Sequence, residues 1–199
     1  MNARHLKHED YKPVPWKNGL GTTLELASAQ CPRSENSEAF MWRISIADMV
    51  QSNEFSLFPN TRRILTVMNG EGLVLKGAET GNSFTCLPFS PVSFSGSEVL
   101  YGELVNGPVQ NFNVMVNGDS ADAAVQIIEN TLNLELSGDV NYFYVLPASV
   151  AAYFSSQSGT MLVRAGESYL IEASGSVSVG LQAEANLPFR VMHVCIAFK

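Results

Sequence analysis

The sequence predicts an all-β protein of antiparallel sandwiches or barrels, and three observations carry this. Short runs of β-branched and aromatic residues recur along the whole chain, their apolar and polar residues alternate, and Gly, Pro, Asn and Ser separate them. Helix signals are nearly absent; the strongest candidate is a turn or two within 118–124. With 199 residues, 46% hydrophobic and 16% charged, the chain can bury a substantial core in one domain or two small ones.

In chain order, residues 1–15 read as a polar arm holding His5 and His8, both expected to be solvated. Trp16-Lys17-Asn18-Gly19-Leu20-Gly21 then reads as a glycine-bearing loop, and the Thr/Leu alternation from Thr22 to Leu26 as a strand. Residues 29–39 have the composition of a surface loop. In Phe40 to Val50, Trp42, Ile44 and Ile46 share one strand face, and Arg43, Ser45 and Ala47 share the other.

The stretch FSLFPNTRRILTVMNGEGLVLK, Phe55 to Lys76, organises the chain. Asn69-Gly70-Glu71-Gly72 lies between Ile64 to Met68 and Leu73 to Leu75, which predicts a β-hairpin. Alternation puts Arg63, Leu65 and Val67 on one face and Arg62, Ile64, Thr66 and Met68 on the other, so only one arginine points inward. An inward arginine keeps its charge and needs a buried carboxylate, a water-filled cavity or an anionic ligand.

Further strands follow at 83–87, 92–94, 98–105 and 109–116, the last aligning Asn111, Asn113 and Met115 on one face. Residues 119–199 repeat the pattern with fewer polar and aromatic residues in register, and are expected to act as scaffold.

Composition also excludes function classes. Residues 1–63 carry eight Lys and Arg against seven Asp and Glu, the remainder four against twelve, for a net charge of −7. Such an acidic surface repels nucleic acid and anionic membrane. No window approaches the ~18 consecutive apolar residues of a membrane span, and MNARHLKHEDYKP lacks the apolar core of a secretion signal, so a cytoplasmic location is expected. Cys31, Cys86 and Cys195 lack metal-ligand spacing and read as buried free thiols. The histidines are His5, His8 and His193, with only His193 expected inside; no H-x-H and no G-x-S-x-G occurs. No metal and no cofactor are therefore expected.

What remains is a polar set on strands or strand mouths: Trp16, Asn18, Thr23, Glu25, Arg43, Arg63 and Asn113. Arginine recognises carboxylates, amides orient them, and aromatics wall the pocket. Glu25 is the one weak catalytic candidate, an acid/base, although pairing with Arg43 or Arg63 is the simpler assignment.

Five blocks resemble the HutD/Ves family of non-metal bicupins: PWKNGLGTTLEL (Pro15 to Leu26), FMWRISIADM (Phe40 to Met49), FSLFPNTRRILTVMNGEGLVL (Phe55 to Leu75), FSG (Phe94 to Gly96) and NGPVQNFNVMV (Asn106 to Val116). The resemblance implies two double-stranded β-helix (jelly-roll) barrels packed as one compact unit. The N-terminal barrel, 1–118, would carry a metal-free pocket; residues 119–199 would form a second, cupin-like barrel, with strands open to exchange. It also implies, for the HutD branch, a regulatory link to histidine catabolism and binding of a small carboxylate such as formylglutamate; the Ves branch looks stress-associated.

Block by block, the family's W-x-N-G falls on Trp16, Asn18 and Gly19, and its acidic residue on Glu25. Its W-R-x-S falls on Trp42, Arg43 and Ser45, its F-S-x-F-P on Phe55, Ser56, Phe58 and Pro59, its arginine on Arg63, and its N-x-M on Asn113 and Met115. Three departures stand out. Leu20 interrupts a glycine triplet, Asn60 and Arg62 replace Gly and Asp, and Asn111 replaces Asp. If Arg62 and Asn111 both face inward, the pocket becomes more positive.

The leading reading is a carboxylate-binding bicupin: Arg43 or Arg63 clamps the ligand, and Asn18, Asn111 or Asn113 orients it, beside Trp16, Thr23, Ser45 and Phe58. Occupancy would act through a protein partner in histidine catabolism or a stress response. The competing readings are a metal-independent enzyme using Glu25 on a small acid, and a structural interaction protein. Edge strands leave a homodimer open.

Overall fold

The computed structural model describes residues 1–16, 21–31, 40–157, 159–184 and 187–199. Among these it contains nineteen strands, one 3-10 turn at His8–Asp10 and no α-helix. The strands are β1 (Asn2–Leu6), β2 (Lys12–Pro15), β3 (Thr22–Gln30), β4 (Phe40–Met49), β5 (Asn53–Glu54), β6 (Thr61–Asn69), β7 (Leu73–Gly77), β8 (Ser83–Cys86), β9 (Val92–Ser95), β10 (Leu100–Leu104) and β11 (Val109–Asn117). Beyond these lie β12 (Ala121–Ile128), β13 (Leu132–Leu136), β14 (Val140–Val145), β15 (Ala152–Ser156), β16 (Gly159–Val163), β17 (Ser168–Glu172), β18 (Val177–Ala183) and β19 (Val191–Phe198). The helical turn expected within 118–124 is replaced by the start of β12, whose alternating burial is that of a half-covered strand.

The chain divides into two units, Tyr11–Asp122 and Met1–Asp10 with Ala123–Lys199. Residues 1–10 thus fold with the second unit, and 119–122 with the first. Each unit is built from two antiparallel sheets. The first has a six-stranded sheet ordered β2-β3-β4-β11-β6-β9 and a four-stranded sheet ordered β5-β10-β7-β8. Met49, Leu65, Val67, Leu73, Leu75, Cys86, Phe94, Leu100 and Val109 form its core. The inward face of β6 is therefore apolar at Leu65 and Val67 and charged at Arg63, which marks where core gives way to cavity.

The hairpin expected at 69–72 does not form. β6 pairs with β9 and β11 in one sheet, while β7 pairs with β8 and β10 in the other. Gly70 and Gly72 have φ of +95° and +117° and carry the chain from one sheet to the next. The four-residue link is a sandwich corner.

In the second unit, β1-β17-β14-β19-β12 faces a sheet ordered β13-β18-β15-β16, around a core including Phe143, Phe154, Tyr169 and Leu181. The arm expected to be solvated keeps His8 exposed, but its Asn2–Leu6 stretch is an edge strand in which His5 Nε2 lies 2.8 Å from Glu167 Oε2, each side chain 16% exposed. Burial alone would raise the Glu167 pKa; the Arg164 backbone N–H and the His5 ring overcome it, and the carboxyl sits below its ordinary value.

His193 is buried and stacked on Phe143 at 4.4 Å, with Nδ1 2.8 Å from Gln126 Nε2 and Nε2 2.9 Å from Asn141 Oδ1. Burial pushes its pKa down from 6.5 to about 4. A depressed histidine keeps its stabilising effect above its unfolded pKa and loses it as pH falls toward the folded one, here across 6.5 to about 4. The full drop is roughly 3 kcal/mol. Urea midpoints measured across this window should fall steeply in the wild type and much less in His193→Gln; equal slopes would assign the loss to other groups.

Cys86 is fully buried, and burial lifts its thiol to about 11; Cys31 and Cys195 are half-exposed rather than buried, and all three are free. Among the described residues no helix is long and apolar enough to cross a membrane.

Candidate functional site

The register of the six-stranded sheet assembles the site rung by rung. Ser28 pairs with Arg43, Arg43 with Met115, Met115 with Arg63 and Arg63 with Phe94. The next rung runs Glu25, Ser45, Asn113, Leu65, and the third Thr23, Ala47, Asn111, Val67. Since one face of a sheet collects every second residue, three rungs gather the polar side chains of four strands on the inner surface. A bulge between Glu25 and Ala27 brings Ser28 onto the face of Glu25, three residues away, which unbroken alternation would forbid. Ser28 Oγ donates to Glu25 Oε1 at 2.9 Å.

These residues line a cavity of about 490 Å³ inside the first unit. Trp16, Thr23, Glu25, Arg43, Ser45, Phe58, Arg63, Asn111 and Asn113 all border it. Asn18 and Leu20 lie outside the described residues. Phe55 and Met115, named in the sequence through the family blocks, also line the cavity, as do Ser28, Phe40, Met49 and Glu54, which sequence reasoning passed over as site residues. Met115 follows from the alternation that aligns Asn111 and Asn113; Ser28 had no signal, because a bulge leaves no mark in hydrophobic periodicity.

Arg63 is only 7% exposed, and it lacks a carboxylate partner among the described residues. Its Nη1 donates to the Ser56 carbonyl at 3.1 Å and its Nη2 to Asn113 Oδ1 at 3.4 Å, while Nε has no hydrogen-bond partner among the described residues. The guanidinium carbon lies 5.2 Å from the ring centres of Phe55 and Phe94 and 5.5 Å from that of Phe58. Aromatic faces attract a cation, and here they cover it without neutralising it. Gly102 makes room for one of them, since a Cβ there would come within 2.6 Å of the Phe55 ring. Burial, and then the charge of Arg43, lower the Arg63 pKa from 12.5 to about 10.

The inner carboxylate is already engaged. Arg43 Nε lies 2.9 Å from Glu25 Oε2, off the line of a hydrogen bond, so the contact is an ion pair. Asn113 Nδ2 donates to Asn111 Oδ1, which turns the Asn113 carbonyl toward Arg63. Trp16 Nε1 donates to Thr23 Oγ1 at 2.8 Å at the outer end of the cavity. Arg62, by contrast, points outward to Ser93 and Asp122, so of the departures that fall on described residues only Asn111 changes the lining. Asn60 adopts φ 59°, a left-handed conformation that asparagine tolerates where glycine is the easier choice. Among the described residues no group of three or more His, Cys, Asp or Glu side chains is arranged to hold a metal ion.

Comparison with known proteins fits this architecture. The chain is 32% identical over 161 residues to an uncharacterised 21.2 kDa protein in the hutC 3' region of Pseudomonas putida, covering 81% of each. The structure resembles that of HutD from Pseudomonas fluorescens SBW25 in a formate condition, with 22% identity, full coverage of both chains and a TM-score of 0.81. It also resembles a cupin 2 conserved barrel domain protein from Leptotrichia buccalis, at 11% identity, a TM-score of 0.57 and coverage of 93% and 96%, so the all-β fold is cupin-like. The HutD family pattern itself matches residues 8–189, nearly the whole chain, and the chain belongs to the HutD family.

Proposed function

We propose that this chain binds a small carboxylate in the cavity of its first unit, and that occupancy serves a regulatory or accessory role in histidine utilisation, exerted in the cytoplasm through a protein partner. The observation that carries the binding step is the charge balance around Arg63. Two guanidinium groups share the cavity interior with one carboxylate, Glu25, and that carboxylate belongs to Arg43. A buried cation without a counter-ion is costly, and an anionic ligand relieves both the desolvation and the repulsion from Arg43. The likeness to a hutC-region relative and to a HutD structure in a formate condition supports the choice of pathway and ligand class.

Binding is favoured over catalysis because Glu25 is held by Arg43 and Ser28, an arrangement suited to charge compensation rather than proton transfer. The test is a thermal-shift screen against formate, formylglutamate, glutamate and urocanate. A true ligand at 100 times its Kd should add about 2.7 kcal/mol. Arg63→Ala should abolish the shift. Glu25→Gln should keep it or enlarge it, since removing an acid makes the cavity more positive; turnover of a bound acid that disappears in Glu25→Gln would instead establish the enzyme reading. If no acid shifts the wild type, carboxylate binding is wrong.

A further inference from the structure

We infer that the cavity selects a monocarboxylate with an apolar body and discriminates against dicarboxylates. This rests on the carboxylate-binding reading and narrows it to a ligand class. Inside the cavity Arg43 and Arg63 stand against Glu25, a net charge of one positive, which a single carboxylate neutralises. The remaining charged group on the described lining is Glu54, exposed on the rim. With one carboxylate set against Arg43 and Arg63, a second on the same ligand meets the rest of the lining. Against Phe40, Met49 or Met115 it is desolvated without a partner, against Thr23, Gln30 or Asn53 it gains only neutral hydrogen bonds, and toward the exposed Glu54 it meets like charge. None of these supplies a cation.

Size and surface point the same way. A cavity of about 490 Å³ falls in the range of pockets that enclose whole organic ligands and is far larger than a bare carboxylate requires. Its apolar wall holds the Phe40 and Phe58 rings, 6.2 Å apart and tilted by 56°, together with Met49, Phe55 and Met115. Asn111 keeps the charge count at one positive. Its carbonyl holds the Asn113 amide in place, and its own Nδ2 donates to nothing among the described residues, leaving a donor for the ligand. Aspartate at 111 would still accept from Asn113 while cancelling the cavity's net charge.

The experiment is calorimetric titration of the full chain at pH 7 with acetate, pentanoate and glutarate, the last two matched in carbon number. Pentanoate should bind at least about tenfold tighter than acetate, because each buried methylene contributes about 0.8 kcal/mol. It should also bind at least about tenfold tighter than glutarate. Asn111→Asp, with an intact melting transition, should weaken pentanoate by a similar factor; a variant that fails to fold leaves the wild-type series to decide. Glutarate equal to or tighter than pentanoate, with both lost in Arg63→Ala, overturns this inference and leaves carboxylate binding standing. Pentanoate no tighter than acetate overturns the apolar body, and unchanged pentanoate affinity in Asn111→Asp overturns the charge argument. Binding of none of the three acids overturns the carboxylate reading itself, and the inference with it.

Discussion

Replacing Arg63 with methionine should raise the melting temperature of the ligand-free protein while eliminating its stabilisation by carboxylates. The guanidinium is buried, lacks an acid partner among the described residues and is repelled by Arg43; its pKa, lowered to about 10, corresponds to a charged-state penalty of roughly 3 kcal/mol. Against that stand the contacts with three phenylalanine rings, which a methionine side chain largely retains as apolar packing. The Ser56 carbonyl belongs to an exposed residue, so water replaces that hydrogen bond. Asn113 Oδ1 is the one acceptor left buried, at a cost of about 1–2 kcal/mol. Desolvation outweighs these losses, and the net gain is about 1 kcal/mol, or roughly 2–4 °C in Tm. Such a gain on losing the binding group is the mark of a site kept at the expense of stability. A fall of several degrees with carboxylate stabilisation intact would make Arg63 a structural residue and end the binding argument built on it.

The same residue shows how much of the site was legible in sequence. Alternation within single strands is local, so the facing of Arg43 with Ser45, of Arg63 with Leu65, and of Asn111 with Asn113 could be read from spacing, but both faces of β6 are apolar, so which of Arg62 and Arg63 turns inward could not. Knowing that one arginine had to face inward, and that it would then need an anion or a partner, required only its fixed charge. The missing information was relational. Which strand lies beside which decides that Glu25 serves Arg43 and not Arg63. A bulge in β3, invisible to hydrophobic pattern, decides that Ser28 joins Glu25. The aromatic rings around Arg63 come from three separate stretches, and nothing in Phe55, Phe58 or Phe94 alone announces that they converge. Likewise nothing in residues 2–6 says that they complete a sheet with β17.

The corner at Gly70 shows the limit most sharply, and Gly70→Ala should be among the most damaging single-methyl changes in the first unit. Asn-Gly between two β runs is the local signature of a hairpin, but local preference cannot tell a turn that returns a strand on itself from one that passes it to the opposite sheet. Here both flanks of β6 are occupied, by β9 and β11, so the chain must leave the sheet at this point. The corner is also packed against the next one. Asn106 Nδ2 donates to Glu71 Oε1 at 2.9 Å and the Val105 N–H to the Gly72 carbonyl at 3.2 Å. A Cβ on Gly70 would sit 2.5 Å from the Pro108 carbonyl oxygen and 3.0 Å from Val109 Cα, both backbone atoms that cannot rotate away. To the roughly 1–2 kcal/mol of a left-handed alanine is added overpacking of about 1–3 kcal/mol, so the loss should be near 3 kcal/mol, a fall of roughly 6–12 °C. Gly107 supplies the control, because its φ of +72° carries the same conformational cost while a Cβ there meets nothing within 4 Å. Gly107→Ala should therefore fall by only about 2–8 °C, less than Gly70→Ala by the overpacking share. If thermal melting places the two variants together, the corner yields more easily than its backbone contacts imply, and the link between the sheets is not what holds the cavity strands in register.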